Sequence, residues 1–296
     1  SMDAELQQVF NRCVDRGVTL FDTGDSYGTG PYKGQSERLL GQFSQAYRGA
    51  NADQICLATK LAAYPWRLTR GSMVQAGKNS IARMGRVDLA QMHWPTANYA
   101  PWQEGALLDG LADLYEQGLI RGVGLSNYGP NRLAQAQKRF AARGVPIVTL
   151  QVQYSLLSTY PVTELGLKEK CDEYGIKMIA YSPLCLGLLT GKYDRQGPFP
   201  KGLRRFLFPR LLPGMQGLLG CLKELAALHK KTIAQVALNW CIGKGTIPIP
   251  GAKTLAQAEQ NLGAIGWQLS NAEVMALDEA AAGVDRKMIQ NIFQTR

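Results

Sequence analysis

Two histidines in 296 residues, six cysteines without a close CxxC pair and no long apolar run set the first limits. A membrane-spanning helix needs about 20 consecutive apolar residues, and no stretch of this chain approaches that length. Cys13, Cys56, Cys171, Cys185, Cys221 and Cys241 are spread along the chain. Such dispersal points to reduced thiols in a reducing compartment and to no structural metal. Acid is the scarcer charge, with 23 Asp and Glu against 33 Lys and Arg, a formal net charge of +10. That bias attracts anions, phosphorylated cofactors among them. The basic residues are mostly scattered, and the densest cluster, KGLRRFLFPR from Lys201 to Arg210, reads as a solvated loop. No basic helix or finger spacing accompanies the charge, so nucleic acid is not an expected partner. Nothing like a signal or transit segment opens the sequence, which begins SMDAELQQVF as if inside a helix; any leader is expected to lie outside it.

What the chain does have is one unit repeated. Apolar residues make up 46% and charged residues 19%, ample for a large core. VTLFD leads to SERLLGQFSQAY, whose Leu39, Leu40, Phe43 and Tyr47 recur at helical spacing. ICLATK leads to SMVQAGKNSIARMG, with Met73, Val74, Gly77, Ile81 and Met84 on the face predicted to be buried. VDLAQMHW precedes ALLDGLADLYEQG, with Leu107, Leu108, Leu111, Leu114 and Tyr115 in the same pattern. IRGVGLSN, IVTLQVQY, IKMIAYSP and TIPIPG continue the series, each followed by helix-like sequence, and the last helix opens on SNAE with capping-box spacing at Ser270 and Glu273.

Short apolar strands alternating with helices of ten or more residues call for a parallel sheet covered by helices. A doubly wound dinucleotide fold would place GxGxxG directly after its first strand, and Gly24, Gly28, Gly30 and Gly34 do not fit that register. Residues with chemistry follow many of the strands, as in a closed barrel whose loops converge at one mouth. The expected fold is an α/β (β/α)8 TIM barrel, a single domain over residues 1–296. Seven strands are counted where the barrel needs eight, so the first strand and the N-terminal end of the domain are expected to be missing ahead of Asp3.

Four proton-handling residues sit at the ends of three successive strands: Asp22, Tyr27, Lys60 and His93. Each alone has an ordinary reading, as a loop cap, a rim aromatic, a strand-end charge or a hydrogen-bonded core histidine. Parallel neighbours would carry all four on one rim, which is chemistry. A phenol, with an ordinary pKa near 10, acts as an acid near neutrality only beside a cation, and Lys60 is that candidate. Asp22 would fix the lysine, and His93 would orient a carbonyl oxygen. Together they describe protonation of an oxygen while a hydride reaches its carbon, and hydride requires an external nicotinamide donor. His229, among lysines on a helix, reads as a surface residue.

FDTGDSYG, ATK, QMHWP, GLSNYGP, QVQYSLL, AYSPL and IPIPGAKTLAQAEQN resemble the motifs of the aldo-keto reductases, in that family's order and over nearly the whole chain. The resemblance implies Tyr27 as general acid, Lys60 and Asp22 as the pair that tunes it, and His93 as the donor to the carbonyl. It implies NADPH/NADP+, with Ser126, Asn127 and Gln151 on the nicotinamide carboxamide and Tyr181 stacked on its ring. Ser182, Leu184 and Lys192 would line the pyrophosphate, with Gly251, Lys253, Gln257 and Asn261 at the adenosine end. Lys253, just before a helix N-terminus, would carry the 2′-phosphate. Many relatives place an arginine near Thr254 or Gln257, and neither position is basic here.

Within that family, DSYGTG, GQSERLLG, AAYPWRLT and the C-terminal IQNIFQTR are similar to the plant-type plastid branch that reduces pyridoxal. The resemblance implies a small carbonyl substrate of that kind and a chloroplast address. Trp66, Trp94 and Asn98 would form a flat, partly polar substrate slot. Two other readings stay open from the residues: a cofactor-binding regulatory subunit like the potassium-channel β subunits, and an aldolase using Lys60 as a Schiff base.

Overall fold

The computed structural model describes residues 2–28, 30–193, 199, 202 and 204–296. They form two compact units, one of Ser1–Val152, Leu165–Lys177 and Ile292–Arg296, the other of Gln153–Glu164 and Met178–Asn291. Seven strands occur among the described residues, the number read from the sequence, and the fold class is the parallel α/β type. None of the described helices is long and apolar enough to cross a membrane, and no cluster of metal-ligating side chains occurs among the described residues.

In the first unit, β1 (Leu20–Asp22), β2 (Cys56–Leu61), β3 (Leu89–Met92), β4 (Gly122–Ser126) and β5 (Ile147–Gln153) follow one another in chain order. Each is parallel to the next. Helix α1 (Met2–Asp15) precedes β1, and α2 (Gln35–Ala46), α3 (Arg70–Met84), α4 (Pro101–Glu116) and α5 (Pro130–Ala141) provide the crossovers. Phe10 of α1 packs on Phe21 of β1 with ring centroids 4.4 Å apart. The strands alternate as period-two geometry requires. Thr59 points outward, donating to Glu37 of α2 at 2.6 Å, whereas Lys60 points to the opposite face and donates to the Thr23 carbonyl. Fully buried Glu37 also takes Arg83 of α3, so one carboxylate joins a strand and two helices.

In the second unit, α6 (Tyr160–Thr163) is followed by β6 (Lys177–Tyr181), α8 (Arg204–Leu211), α9 (Gln216–His229), α10 (Ile233–Gly243), β7 (Ile247–Pro248), α11 (Leu255–Leu262) and α12 (Asn271–Ala282), while α7 (Leu167–Glu173) belongs to the first unit. β6 and β7 pair in parallel through Ile179↔Ile247 and Ala180↔Pro248. The capping box expected at Ser270 and Glu273 is formed.

Four readings of the sequence change. Of the apolar residues at helical spacing along α2, Tyr47 just past its end is buried, but Leu39, Leu40 and Phe43 are only half-buried; Glu37, Gly41 and Ser44 face inward. On α3, Met73, Gly77 and Met84 are buried as expected, but Ala76 and Ser80 replace Val74 and Ile81. Small residues win because these helices approach closely. The KGLRRFLFPR segment is helical from Arg204, with Phe208, Leu211 and Leu212 buried, although Lys201 and Leu203 lie outside the described residues. Its apolar residues at helical spacing outweigh the charges between them. His229 is half-buried, sharing a 2.7 Å hydrogen bond with Glu273 and packing on Trp267.

Gly41 sets the α2–α3 approach: a Cβ there would lie 2.5 Å from the Met84 backbone oxygen. At Gly77 the obstacle is the Leu114 side chain, which can turn away. Gly41→Ala is expected to lower stability by about 1–3 kcal/mol and Gly77→Ala by less, read from urea midpoints at constant m-value.

Candidate active site

The first turn after β1 is built by its glycines. Gly28 has φ 89, and a Cβ there would strike the Tyr32 carbonyl oxygen. Gly24 lets the Tyr27 ring lie 3.4 Å from where its own Cβ would be. Between them Asp25 accepts from the Ala62 backbone at 3.0 Å and from Arg67 at 2.9 Å, tying this loop to the one after β2. Burial pushes the Asp25 carboxyl up from its ordinary pKa, and Arg67 pulls it back.

On that frame the four predicted residues meet. Lys60 and Asp22 form an ion pair whose side chains are 2% and 6% exposed, and Lys60 also donates to the Thr23 carbonyl at 2.7 Å. Its ammonium lies 5.0 Å from the centre of the Tyr27 ring. The Tyr27 and His93 rings are edge to face, 5.8 Å between centroids and 77° apart. Tyr27 itself is 40% exposed, open to an incoming molecule. His93 has Nδ1 3.2 Å from the Ser26 hydroxyl, and its pKa is lowered to about 3, first by burial and then by Lys60. The imidazole is therefore neutral at ordinary pH. A Schiff-base lysine needs an apolar pocket, whereas Lys60 is held by a carboxylate and a carbonyl.

Ser126, Asn127 and Gln151 gather at the ends of β4 and β5. Ser126 Oγ donates to the Gln151 carbonyl at 3.0 Å, and Asn127 Nδ2 donates to the His93 carbonyl at 3.2 Å. Asn127 adopts φ 63, a left-handed backbone that asparagine tolerates better than most residues. Thr295 donates its backbone N–H to the Asn127 carbonyl and accepts from Gly129 through its hydroxyl, so the chain's last residues brace this loop.

Trp66 and Trp94 belong to one aromatic wall. Trp66 stacks on Tyr64 at 4.5 Å and 9°, Trp94 meets the edge of Tyr64 at 6.2 Å, and Phe293 stacks on Trp94 at 4.8 Å. Trp94 also donates to the Tyr99 hydroxyl at 2.8 Å and packs against the His93 ring. Asn98 is exposed and makes no hydrogen bond among the described residues.

In the second unit, Tyr181 ends β6, Ser182 and Leu184 follow it, and Ser182 has φ 51. Ile249 N–H donates to the Ala180 carbonyl at 3.0 Å, which sets the end of β7 beside the end of β6. Gly251 and Lys253 follow, at the start of α11. Gln257 accepts from the Lys253 backbone at 2.8 Å and Asn261 donates to the Gly251 carbonyl at 3.4 Å, so both hold this loop in shape. Lys253 is exposed and has no carboxylate partner among the described residues, and Lys192 lies over the Tyr193 ring at 6.0 Å.

Sequence reasoning passed over Gln91, Tyr64, Phe293 and the Asp25–Arg67 pair. Gln91 donates to Asp22 at 2.8 Å. Its signal was present, since it stands two residues before His93 and strand alternation turns both to one face. Phe293 carried none, because Trp94 and Phe293 are separated in sequence by the rest of the chain's strands and helices.

The description "Aldo/keto reductase family" belongs to the family model that matches residues 1–282. The chain is 51% identical over 300 residues to the chloroplastic pyridoxal reductase of Arabidopsis thaliana, covering 100% of this chain and 82% of that protein. It is 30% identical to the aldo-keto reductase yakc [NADP(+)] of Schizosaccharomyces pombe, covering 95% and 83%. The crystal structure of a thermostable aldo-keto reductase bound to the inhibitor epalrestat superposes with a TM-score of 0.74 at 28% identity, covering 95% of this chain and 88% of that one. With the barrel family's strand order and a Tyr, Lys, Asp and His cluster at the strand ends, the chain belongs to the aldo/keto reductase family.

Proposed function

We propose that this protein reduces an aldehyde to an alcohol with NADPH, with pyridoxal as substrate and pyridoxine as product, residues 1–296 acting as one reductase domain. The observation that carries the reading is the placing of the Lys60–Asp22 ion pair beneath an exposed Tyr27 and a neutral His93. Full-length identity of 51% to a protein named pyridoxal reductase supports the substrate and a plastid address.

The residues present fit the nicotinamide cofactor. Ser126, Asn127 and Gln151 provide amide and hydroxyl groups beside the cluster. At the start of α11, a Cβ on Gly251 would meet nothing within 4 Å, and Lys253 offers an unpaired ammonium among the described residues. Tyr181, Ser182, Leu184 and Lys192 would line the cofactor, and Gln257 and Asn261 would reach its adenosine end. Bound NADPH supplies the hydride.

The chain's own residues handle the oxygen. With Nδ1 engaged by Ser26, Nε2 of neutral His93 is the nitrogen left to donate to a carbonyl oxygen. Tyr27 gives that oxygen its proton as the carbon is reduced. The ammonium of Lys60 faces the ring that acquires negative charge, and Asp22 keeps it aimed there. The wall of Trp66, Tyr64, Trp94 and Phe293 offers a flat apolar surface to an aromatic ring.

Tyr27→Phe is expected to lower kcat with pyridoxal by about 10²–10⁴-fold while NADPH binding, followed by fluorescence titration, stays unchanged; full turnover in this variant removes the mechanism. Lys253→Met should weaken NADPH binding about tenfold and leave NADH unaffected, measured by the same titration. His93, with its folded pKa at about 3 against 6.5 unfolded, gives no limb to a rate profile between pH 5 and 9. The unfolded chain binds the proton first on acidification, so stability is full above pH 6.5 and falls below it. The slope is up to about 1.4 kcal/mol per pH unit. His93→Gln should flatten it, as read from urea unfolding at pH 5, 6 and 7.

A further inference from the structure

Gln91 is fully buried at the centre of the sheet, in register with Lys60 on β2 and Gly124 on β4. It has its space because position 124 is glycine: a Cβ there would sit 2.7 Å from Gln91 Cγ and would also collide with the Thr149 hydroxyl. The two carboxylate oxygens of Asp22 are divided. Oδ2 takes Lys60, and Oδ1 takes Gln91 Nε2 at 2.8 Å. A third donor, Gln151 Nε2, is shared between Asp22 Oδ1 at 3.1 Å and Gln91 Oε1 at 3.3 Å. The shared amide is the looser of the two, as the distances show.

The cofactor reading above assigns Gln151 to the nicotinamide carboxamide, and the following inference rests on it. A side-chain amide that turns toward a ligand must leave or dilute the bonds it already makes. Asp22 would then keep one Oδ1 donor among the described residues, Gln91. We infer that Gln91 is a positioning residue: it holds Asp22, and through it Lys60, in place when Gln151 turns from Asp22 to the cofactor. Remove Gln91, and the cofactor strips a buried carboxylate oxygen of its remaining donor. The cost of a hydrogen bond to a charged group then appears in cofactor affinity, about tenfold or more.

The test is a double-mutant cycle on the full chain, with the Kd for NADPH measured by fluorescence titration in the wild type, Gln91→Met, Gln151→Met and the double variant. Gln91→Met should raise Kd about tenfold or more, yet change it less than about twofold when Gln151 is already Met. Equal weakening in both backgrounds, or a lower Tm with unchanged Kd, overturns the inference and assigns Gln91 to packing alone. Gln91→Glu keeps the shape and serves if the Met variant does not fold. Its Kd, divided by that of the wild type at the same pH, should fall toward one between pH 8 and pH 5.5, as a protonated carboxyl regains a donor for Asp22. A ratio independent of pH overturns the inference equally. A wild-type chain that does not bind NADPH overturns the cofactor reading itself, an outcome no variant can mimic.

Discussion

An ammonium and a carboxylate taken out of water each lose several kcal/mol of hydration, and the interior of the first unit is arranged around recovering that loss at Lys60 and Asp22. Their mutual contact is not enough, since a carboxylate has two oxygens and an ammonium three protons. The Thr23 carbonyl, Gln91 and Gln151 supply further partners. Satisfying the pair therefore enlists β1, β2, β3 and β5, and the polar interior gains a single arrangement. The same arrangement fixes which face of Tyr27 meets positive charge.

Outside the strands a similar economy operates with small residues and buried carboxylates. Gly41 brings α2 against the end of α3, and Glu37 joins both to Thr59. At the opposite end of the strands, Asp88 accepts from the Leu57 backbone and from Arg86, holding β2 and β3 together below the chemistry. Rigid crossovers on the outside let the loops above be irregular. The left-handed Asn127 and the turn at Gly28 are both tolerable because their neighbours are already pinned.

The strand and helix order was legible because period-two and 3.6 patterns report local geometry, and all seven strands were found that way. The four residues of the cluster were legible for a related reason: parallel strands bring their C-terminal ends to one rim, so position along each strand was enough. Helix faces were less so. On α2 the apolar residues Leu39 and Leu40 advertise a buried side that close packing gives instead to Gly41 and Ser44. The helix from Arg204 hid behind its charges, and the partner of His229 on α12 lay 44 residues away. Aromatic contacts such as Trp94 with Phe293 depend on the path of the chain, which periodicity does not report.

That path has a practical side. Residues 292–296 lie within the first unit, where Phe293 covers Trp94 and Thr295 clasps both sides of the loop that carries Asn127. The clasp at Thr295 and the ring at Phe293 are two residues apart, so a change at either is felt at both. Shortening the chain before Thr295 would remove the clasp, and with it the brace on the left-handed backbone of Asn127.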